Sequence, residues 1–313
     1  MRASTLHKHP GAHPEGIWCC AWLPSGSLLT GSVDESVKLW DLSGDAPACA
    51  HDFTGQTLGA VSLAADASGA HVACSALDSI VRVWNPLTGE TVAVVERAPT
   101  ETWAVAMGPA SAEGVRVAVA GGSCEQVCVY SCRSGEHSLE SSMQLPAAEG
   151  AGATKRERFV LGVAYSPDHS KLAASAMDGT VALYDAATGQ LLQSLRGHSR
   201  PVRSLAFTPD GKMLLTGSDD AHANLFDVAS GGLVDSFSGH ESWVLSVAVH
   251  PGGTAFATAS SDARVRLWDL STRACVQTLG EHSDQVWGLA FNADGTRLAS
   301  AGDDKMLTVY SIA

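Results

Sequence analysis

A repeat of fixed length is the feature that most limits what this chain can fold into. In the C-terminal half, a histidine and an aromatic residue each recur every 42 residues, and the aromatic residue follows 28 residues after the histidine. The pairs are His198 and Phe226, His240 and Trp268, and His282 and Tyr310. Such regularity indicates a structural repeat, and repeat folds of this length routinely form one unit. We therefore predict a single domain over residues 1–313.

Each repeat divides into four short strand-like segments. In the repeat that contains Trp268, apolar or alternating runs occupy 244–249, 255–260, 265–268 and 275–279, and turn residues separate them. This is an all-β pattern. A Gly-His opening, a Trp-Asp closing and four strands per unit resemble the blades of WD-repeat propellers. The closing position occurs seven times, which predicts a seven-bladed β-propeller. Its residues are Trp40, Trp84, Tyr130, Tyr184, Phe226, Trp268 and Tyr310.

The two ends of the chain are predicted to close the ring together. The sequence stops just past the third strand of repeat seven, so residues 5–9 are expected to supply the missing outer strand and remove an exposed edge. Between repeats three and four the spacing of the aromatic residues grows, and we interpret the small, Gly-rich stretch 141–158 as an inserted surface loop.

The amino-acid composition and net charge of the chain disfavour some classes of function. Hydrophobic residues make up 45% and charged residues 17%, which is typical of a folded globule. The formal net charge of −13 disfavours direct binding of nucleic acid and favours a basic protein partner. The N-terminus lacks the apolar core of a signal peptide, and no run approaches the length of a membrane span. We expect a protein of the cytoplasm and nucleus, with eight cysteines as reduced thiols.

Histidine, serine, aspartate and an aromatic residue recur together in the repeats. The sets are His13, Ser32, Asp34 and Trp40; His198, Ser218 and Asp220; and His240, Ser260, Asp262 and Trp268. A catalytic triad occurs once in an enzyme, whereas these sets recur, so we interpret them as structural. They resemble the hydrogen-bond networks inside WD-repeat blades, where the aspartate holds the histidine, the histidine meets the hydroxyl and the indole ends the chain. We predict no enzymatic activity, no cofactor and no metal.

The best candidate for a binding site is the rim of the central channel on the face that carries the histidine loops, called the top face below. The residue at the start of each innermost strand is expected there. These residues are Trp18, Val61, Trp103, Leu161, Arg203, Leu245 and Trp287. Aromatic and arginine side chains are enriched in interface hot spots. Glu101, Trp243 and Asp284 lie in adjacent loops and add an acidic, apolar fringe. The alternative interpretation is that the rim residues only fill a narrow channel.

Four stretches carry a closer resemblance. They are FVLGVAYSPD (159–168), GHSRPVRSL (197–205), GHESWVLSV (239–247) and HSDQVWGL (282–289). They resemble the WD-repeat subunit shared by the superkiller (Ski) complex and the polymerase-associated factor (Paf) complex. The third repeat and the 141–158 loop depart from that pattern.

This resemblance implies a scaffold without catalysis. Members of the family assist exosome-dependent 3′-to-5′ mRNA decay beside the Ski helicase and a tetratricopeptide-repeat subunit. In the Paf complex they accompany RNA polymerase II during transcription elongation and histone modification. Their partners present a short segment with an arginine and a hydrophobic residue to the top face. Carried over to this sequence, the contacting residues are Trp18, Trp103, Leu161, Arg203, Trp243, Leu245 and Trp287.

Two other functions remain open from the sequence. The propeller fits a platform in another assembly, such as an axonemal or trafficking complex, because one fold serves many functions. It also fits a reader of modified lysine or arginine peptides, in which tryptophans at the channel mouth would surround a cation.

Overall fold

The computed structural model describes residues 1–44, 46–97, 101–111, 114–121, 126–146 and 158–313. Over these ranges the chain forms seven four-stranded antiparallel sheets, and no helix there is long and apolar enough to cross a membrane. Each sheet is one blade. The innermost strand of every blade contacts the innermost strands of both neighbours, including blade 1 with blade 7, so the sheets close into a ring. The predicted all-β, seven-bladed propeller is confirmed.

The blades are numbered here in chain order and their strands run from the inside to the outside. Blade 1 contains β2 (Ile17–Trp22), β3 (Leu28–Ser32), β4 (Val37–Asp41) and β5 (Ala48–Phe53). Blade 2 contains β6 (Ala60–Ala65), β7 (Val72–Ala76), β8 (Ile80–Trp84) and β9 (Thr91–Glu96). Blade 3 contains β10 (Ala104–Ser111), β11 (Gly114–Ala120), β12 (Gln126–Arg133) and β13 (Glu136–Gln144). Blade 4 contains β14 (Val160–Tyr165), β15 (Lys171–Ala176), β16 (Val181–Asp185) and β17 (Leu191–Leu195).

The remaining blades follow the same plan. Blade 5 contains β18 (Val202–Phe207), β19 (Met213–Ser218), β20 (His222–Asp227) and β21 (Leu233–Ser238). Blade 6 contains β22 (Val244–Val249), β23 (Ala255–Ser260), β24 (Val265–Asp269) and β25 (Ala274–Leu279). Blade 7 contains β26 (Val286–Phe291), β27 (Arg297–Gly302), β28 (Met306–Ile312) and, as its outer strand, β1 (Ala3–Pro10).

The N-terminal strand closes the ring, as predicted, although it extends beyond residues 5–9. Strand β1 pairs antiparallel with β28, from Ala3 opposite Ile312 to Pro10 opposite Met306. The side chain of Gln277 in blade 6 adds a second attachment, since its carboxamide accepts from the N–H of Ala3 and donates to its carbonyl, both at 2.8 Å. The edge of β28 is therefore covered rather than exposed.

The first residues of the predicted 141–158 loop form part of a strand. Its first four residues, 141–144, belong to β13, where Ser141 pairs with Val129 and Gln144 with Gln126. Small, polar composition favoured a loop, yet an outer strand is solvated on one face and accepts such residues. Residues 147–157 lie outside the described part of the chain, as does Cys124 of the third repeat.

The hydrophobic core lies between neighbouring blades. Leu29 and Val37 of blade 1 pack with Leu63 and Val72 of blade 2 in one of the buried clusters. The second strand of a blade is covered by both neighbours, so β23 is buried along its whole length, whereas most of the outer strand β5 is exposed. Burying a leucine or valine side chain contributes about 1.5–3 kcal/mol, so each blade depends on both neighbours for its stability.

Candidate functional site

A repeated backbone irregularity positions the predicted rim residues. In blade 1, Ile17 pairs with Ser32 and Cys19 with Gly31, so Trp18 has no partner across the ladder. The same one-residue slip occurs at the start of five further innermost strands. It falls at Val61, Leu161, Arg203, Leu245 and Trp287. A β-bulge re-aims the side chain of the extra residue. These six positions are therefore built to turn a side chain towards the channel mouth.

The rim residues line one cavity of about 270 Å³. Trp103 joins them from the residue before β10. Their exposure differs: Leu161 and Leu245 are buried, with 6% and 4% of their surface exposed, while Trp18, Trp103 and Trp287 are half-buried. The two leucines form the channel wall, and the tryptophans reach its opening.

Arg203 is held in place by an acidic and an aromatic environment. Its Nε and Nη2 donate to the two carboxylate oxygens of Asp219, at 2.5 and 2.8 Å, in a bidentate ion pair. The guanidinium carbon also lies 5.2 Å from the ring centre of Trp243 and 5.9 Å from that of Trp287. These distances fit cation–π contacts. The space between the two tryptophans is thus occupied by an arginine of the same chain.

A second carboxylate links blades 1 and 7. The indole N–H of Trp18 donates to Oδ1 of Asp303 at 3.1 Å, and the indole N–H of Trp287 donates to Oδ2 at 2.9 Å. A Cβ built on Gly16 would lie 2.6 Å from Oδ1 of Asp303, so a glycine here leaves room for the carboxylate. Two half-buried indole N–H groups are satisfied by one residue.

The contacts form a continuous chain across blades 5, 6, 7 and 1. From Asp219 it runs to Arg203, which contacts both Trp243 and Trp287, and from Trp287 through Asp303 to Trp18. We call these six residues the top-face cluster. Trp243 is the most accessible aromatic residue among them, with 44% of its surface exposed. Asp284 and Glu101 are exposed in the loops before β26 and β10. On the far side of the rim, Trp103 packs edge-on against Phe159 at 6.1 Å.

The recurring histidines form buried networks inside the blades. In blade 1, Nδ1 of His13 lies 2.9 Å from Asp34 and Nε2 lies 2.7 Å from the hydroxyl of Thr30. The indole of Trp40 donates to the same hydroxyl at 2.8 Å. Each polar atom has its partner if His13 is neutral and protonated on Nδ1. The network is structural, because its histidine, threonine and indole are all buried and committed to one another.

The hydroxyl in these networks is not the predicted serine. Threonines two residues earlier replace Ser32, Ser218 and Ser260 as partners of the histidine and, where present, the indole. They are Thr30, Thr216 and Thr258. The serine lies two residues after the threonine, at the end of the strand. A strand rises about 3.3 Å per residue, so the two hydroxyls occupy clearly different places. There Ser32 donates to the carbonyl of Gly16 at 2.8 Å and accepts from the N–H of Asp34 at 3.2 Å, which fixes the turn.

Blades 5, 6 and 7 repeat the arrangement with small changes. His198 and His240 contact Asp220 and Asp262 at 2.7 and 2.8 Å. Sequence reasoning missed a fourth network in blade 7, where His282 lies 2.7 Å from the hydroxyl of Ser300 and 3.0 Å from Asp304. A signal was present, since residues 216, 258 and 300 share the 42-residue spacing and lie ten residues before the closing aromatic.

Blade 2 lacks this network. Gln56 stands in place of the histidine and Cys74 in place of the threonine, opposite Arg82 in the ladder. The buried indole nitrogen of Trp84 and the amide oxygen of Gln56 have no hydrogen-bond partner among the described residues. Arg82 forms an ion pair with Asp78 at 2.9 Å.

Burial and hydrogen bonding set the charges in the networks. Burial by itself raises the pKa of Asp262. The hydrogen bond and charge of His240, together with two backbone N–H donors, outweigh burial and lower this pKa to about 2. Burial lowers the pKa of His13 and outweighs the opposite effect of Asp34. The aspartates are thus charged and His13 is neutral at neutral pH, in agreement with the hydrogen bonds.

The ring, its buried networks and an aromatic opening define the class of β-propeller scaffolds. The sequence profile of the family described as WD domain, G-beta repeat matches residues 4–41, 47–85, 152–185, 189–227, 231–269 and 273–311. The chain therefore belongs to the WD40-repeat family, whose propellers are generally non-catalytic and bind other proteins. The profile leaves out the whole of blade 3, the repeat in which the sequence pattern is weakest.

The curated proteins that are similar to this chain include two WD-repeat proteins. WD repeat-containing protein VIP3 of Arabidopsis thaliana is 42% identical over 212 residues, which cover 65% of this chain and 64% of VIP3. WD repeat-containing protein SL1-17 of Schistosoma mansoni is 35% identical over 198 residues, which cover 62% of this chain and 60% of that protein. The matched region thus spans somewhat less than two thirds of either relative.

Proposed function

We propose that this chain is a non-catalytic scaffold whose top face binds a short segment of a partner protein. The observation that carries the proposal is the top-face cluster, in which hydrogen bonds to Asp303 fix Trp18 and Trp287 and the paired Arg203 holds Trp243, while 44% of Trp243 stays exposed. Aromatic side chains that are already ordered lose little conformational entropy on binding. Such residues are the usual hot spots of interfaces.

The proposed partner segment carries an arginine and a hydrophobic residue. Asp284 and Glu101 are exposed beside the opening, and the net charge of −13 favours a basic ligand. Arg203 does not oppose a second cation strongly, because Asp219 neutralises it at 2.5 Å. The hydrophobic residue would contact the exposed face of Trp243. A reader of modified lysines is less well supported, since Arg203 already occupies the space between Trp243 and Trp287.

The proposed assemblies are the Ski and Paf complexes, in the cytoplasm and the nucleus respectively. The resemblance of the stretches within 159–289 to the shared subunit supports both complexes. The 42% identity to VIP3 over 212 residues adds support for the Paf complex alone. In this role the propeller would join the helicase and tetratricopeptide-repeat subunits in mRNA decay, or Paf subunits in transcription elongation.

Affinity purification with mass spectrometry tests this function. The tagged wild type is compared with Trp243→Ala and with Leu191→Ala, a control that removes a side chain of similar exposure, 40%, from an outer strand. We expect Ski or Paf subunits with the wild type and the control, and their selective loss with Trp243→Ala. Other partners would contradict the assignment to these complexes. Ski or Paf subunits retained by Trp243→Ala at wild-type levels would contradict the site.

A further inference from the structure

We infer that the propeller has a second docking site, in the groove between blades 5 and 6 on the face opposite to the top face. The site goes beyond the proposed function, which concerns the top face alone. The groove is a cavity of about 460 Å³ between the turns 208–210 and 251–253. These turns join first to second strands, at the opposite end of the blades from the turn that holds Asp219.

The floor of the groove is apolar and continuous with the core between the two blades. Met213, Val234 and Leu270 are half-buried and pack on the cluster that contains Leu225 and Phe237. Beneath the floor, Phe237 makes edge-on contact with Phe256 at 4.7 Å, so the base is rigid. One wall is low because Gly252 stands where the neighbouring blade has Asp210. A preformed apolar cavity of this size accepts one large side chain of a partner.

Equivalent grooves on either side are closed by glutamines. Gln193 of blade 4 and Gln277 of blade 6 lie 42 residues on either side of Asp235. Gln193 donates to the carbonyl of Ala229 in the next blade at 2.6 Å, and Gln277 makes two bonds of 2.8 Å to the backbone of Ala3. The side chain of Asp235 is shorter than that of glutamine, and its carboxylate cannot donate a hydrogen bond. It pairs instead with Nε of Arg273 at 3.3 Å.

The Arg273 side chain closes the groove only weakly. It is 59% exposed, and exposed ion pairs of this kind contribute little to stability. Its backbone has φ of 55°, at a position where blades 4 and 5 have Gly189 and Gly231 with φ of 70° and 72°. Arginine at a position that favours glycine is strained. The ion pair with Asp235 is therefore easily replaced.

The occupant that fits is an extended protein segment with one aliphatic or aromatic side chain and a lysine or arginine close to it. The apolar side chain would enter the cavity, and the cation would displace Arg273 from Asp235. Asp210 adds a second carboxylate to the rim, 54% exposed, and its ion pair with Lys212 is long at 3.9 Å. The two rim carboxylates complement a basic ligand once Arg273 has moved away.

Selection of random peptides of about a dozen residues tests the groove. The full-length chain is immobilised with Trp243→Ala, so that the top face contributes little and this result is independent of the proposed function. The affinity of the recovered peptides is measured by fluorescence anisotropy for three proteins. These are the Trp243→Ala variant, the same variant with Asp235→Asn, and the same variant with Arg273→Gly. Arg273→Gly removes strain, so it remains folded.

The proposal predicts recovered peptides with an apolar residue beside a lysine or arginine. Asp235→Asn should weaken their binding about tenfold, through loss of the charge pair. Arg273→Gly should strengthen it about threefold or more, through loss of the competing cation. Absence of enriched peptides, or peptides whose affinity does not change in these opposite directions, would overturn the proposal.

Discussion

The indole rings of Trp18 and Trp287 lie 6.0 Å apart, and both donate to the carboxylate of Asp303. The two tryptophans come from blades 1 and 7, where the ring closes, so Asp303 ties the binding surface to the closure. Both residues occupy a β-bulge at the start of an innermost strand. The same backbone irregularity thus shapes the opening, and one carboxylate fixes two of its aromatic residues.

Asp303→Asn should therefore weaken partner binding more than it weakens the fold. The amide keeps one carbonyl oxygen, so one indole N–H loses its acceptor, at a cost of about 1 kcal/mol in the free energy of unfolding. Binding should fall by about tenfold, because the indoles are no longer held in one arrangement. Urea unfolding and titration with the purified partner measure the two effects. Asp294→Asn, in an exposed turn at the other face, is the control. Equal effects of both variants would contradict the role of Asp303.

Thr258→Val should destabilise blade 6 more than Ser260→Ala does. The hydroxyl of Thr258 bonds both His240 and Trp268, at 2.7 and 2.9 Å, and its loss leaves two buried groups unpaired. We expect a loss of about 2–4 kcal/mol in the free energy of unfolding. Ser260 mainly accepts from the N–H of Asp262 at 3.0 Å, so its loss should be about 1 kcal/mol. Urea unfolding of both variants measures the difference. The reverse order would show that the serine is the central hydroxyl.

Deletion of residues 1–10 should destabilise the whole ring. It removes β1 and exposes the edge of β28, which then offers unpaired N–H and C=O groups to other molecules. We expect a decrease in Tm of about 5 °C or more, together with self-association. Calorimetry and light scattering measure both. Gln277→Ala removes the side-chain attachment alone and should lower Tm only slightly. An unchanged Tm in the deletion variant would show that β1 contributes nothing to closure.

Acidification should destabilise the propeller in two steps. The pKa of His13 in the folded state is lowered from 6.5, so below 6.5 the unfolded chain binds the proton first and stability decreases. The pKa of Asp262 is lowered from 3.8 to about 2, so its contribution is complete above 3.8 and is lost as the pH falls towards 2. Urea unfolding over this pH range measures both steps.

A natural control exists for the first step, because blade 2 has Gln56 where blade 1 has His13. His13→Gln should flatten the decrease in stability that begins as the pH falls below 6.5. An equally steep decrease in this variant would assign the step to other groups.

Much of the fold could be predicted because it depends on periodicity. The 42-residue spacing of His198, His240 and His282 specified the blades, and the missing outer strand of blade 7 specified the use of the N-terminus. Two predictions were wrong by a few residues along a strand: the hydroxyl in the histidine networks and the first residues of the 141–158 loop. Ser260 and Thr258 share a strand face and lie two residues apart, so only the geometry of the indole decides between them. The start of the 141–158 loop was misplaced because outer strands tolerate polar residues.

The candidate site could be predicted in outline but not in its contacts. Alignment of the repeats brought Trp18, Arg203 and Trp287 to one opening, since equivalent positions of a propeller face the same channel. The sequence does not reveal the bulges that turn these side chains inwards. Nor does it reveal that Asp219, in a turn of the same blade, neutralises Arg203. Long-range pairs of this kind depend on how turns approach each other in the folded ring.

Hydrogen–deuterium exchange of the propeller, alone and with the partner recovered by affinity purification, tests the central claim most directly. If the top face is the binding surface, the partner should slow exchange in the segments around Trp18, Trp243 and Trp287, and exchange in the outer strands should stay the same. Protection confined to the outer strands or to the opposite face, with these segments unchanged, would contradict the account.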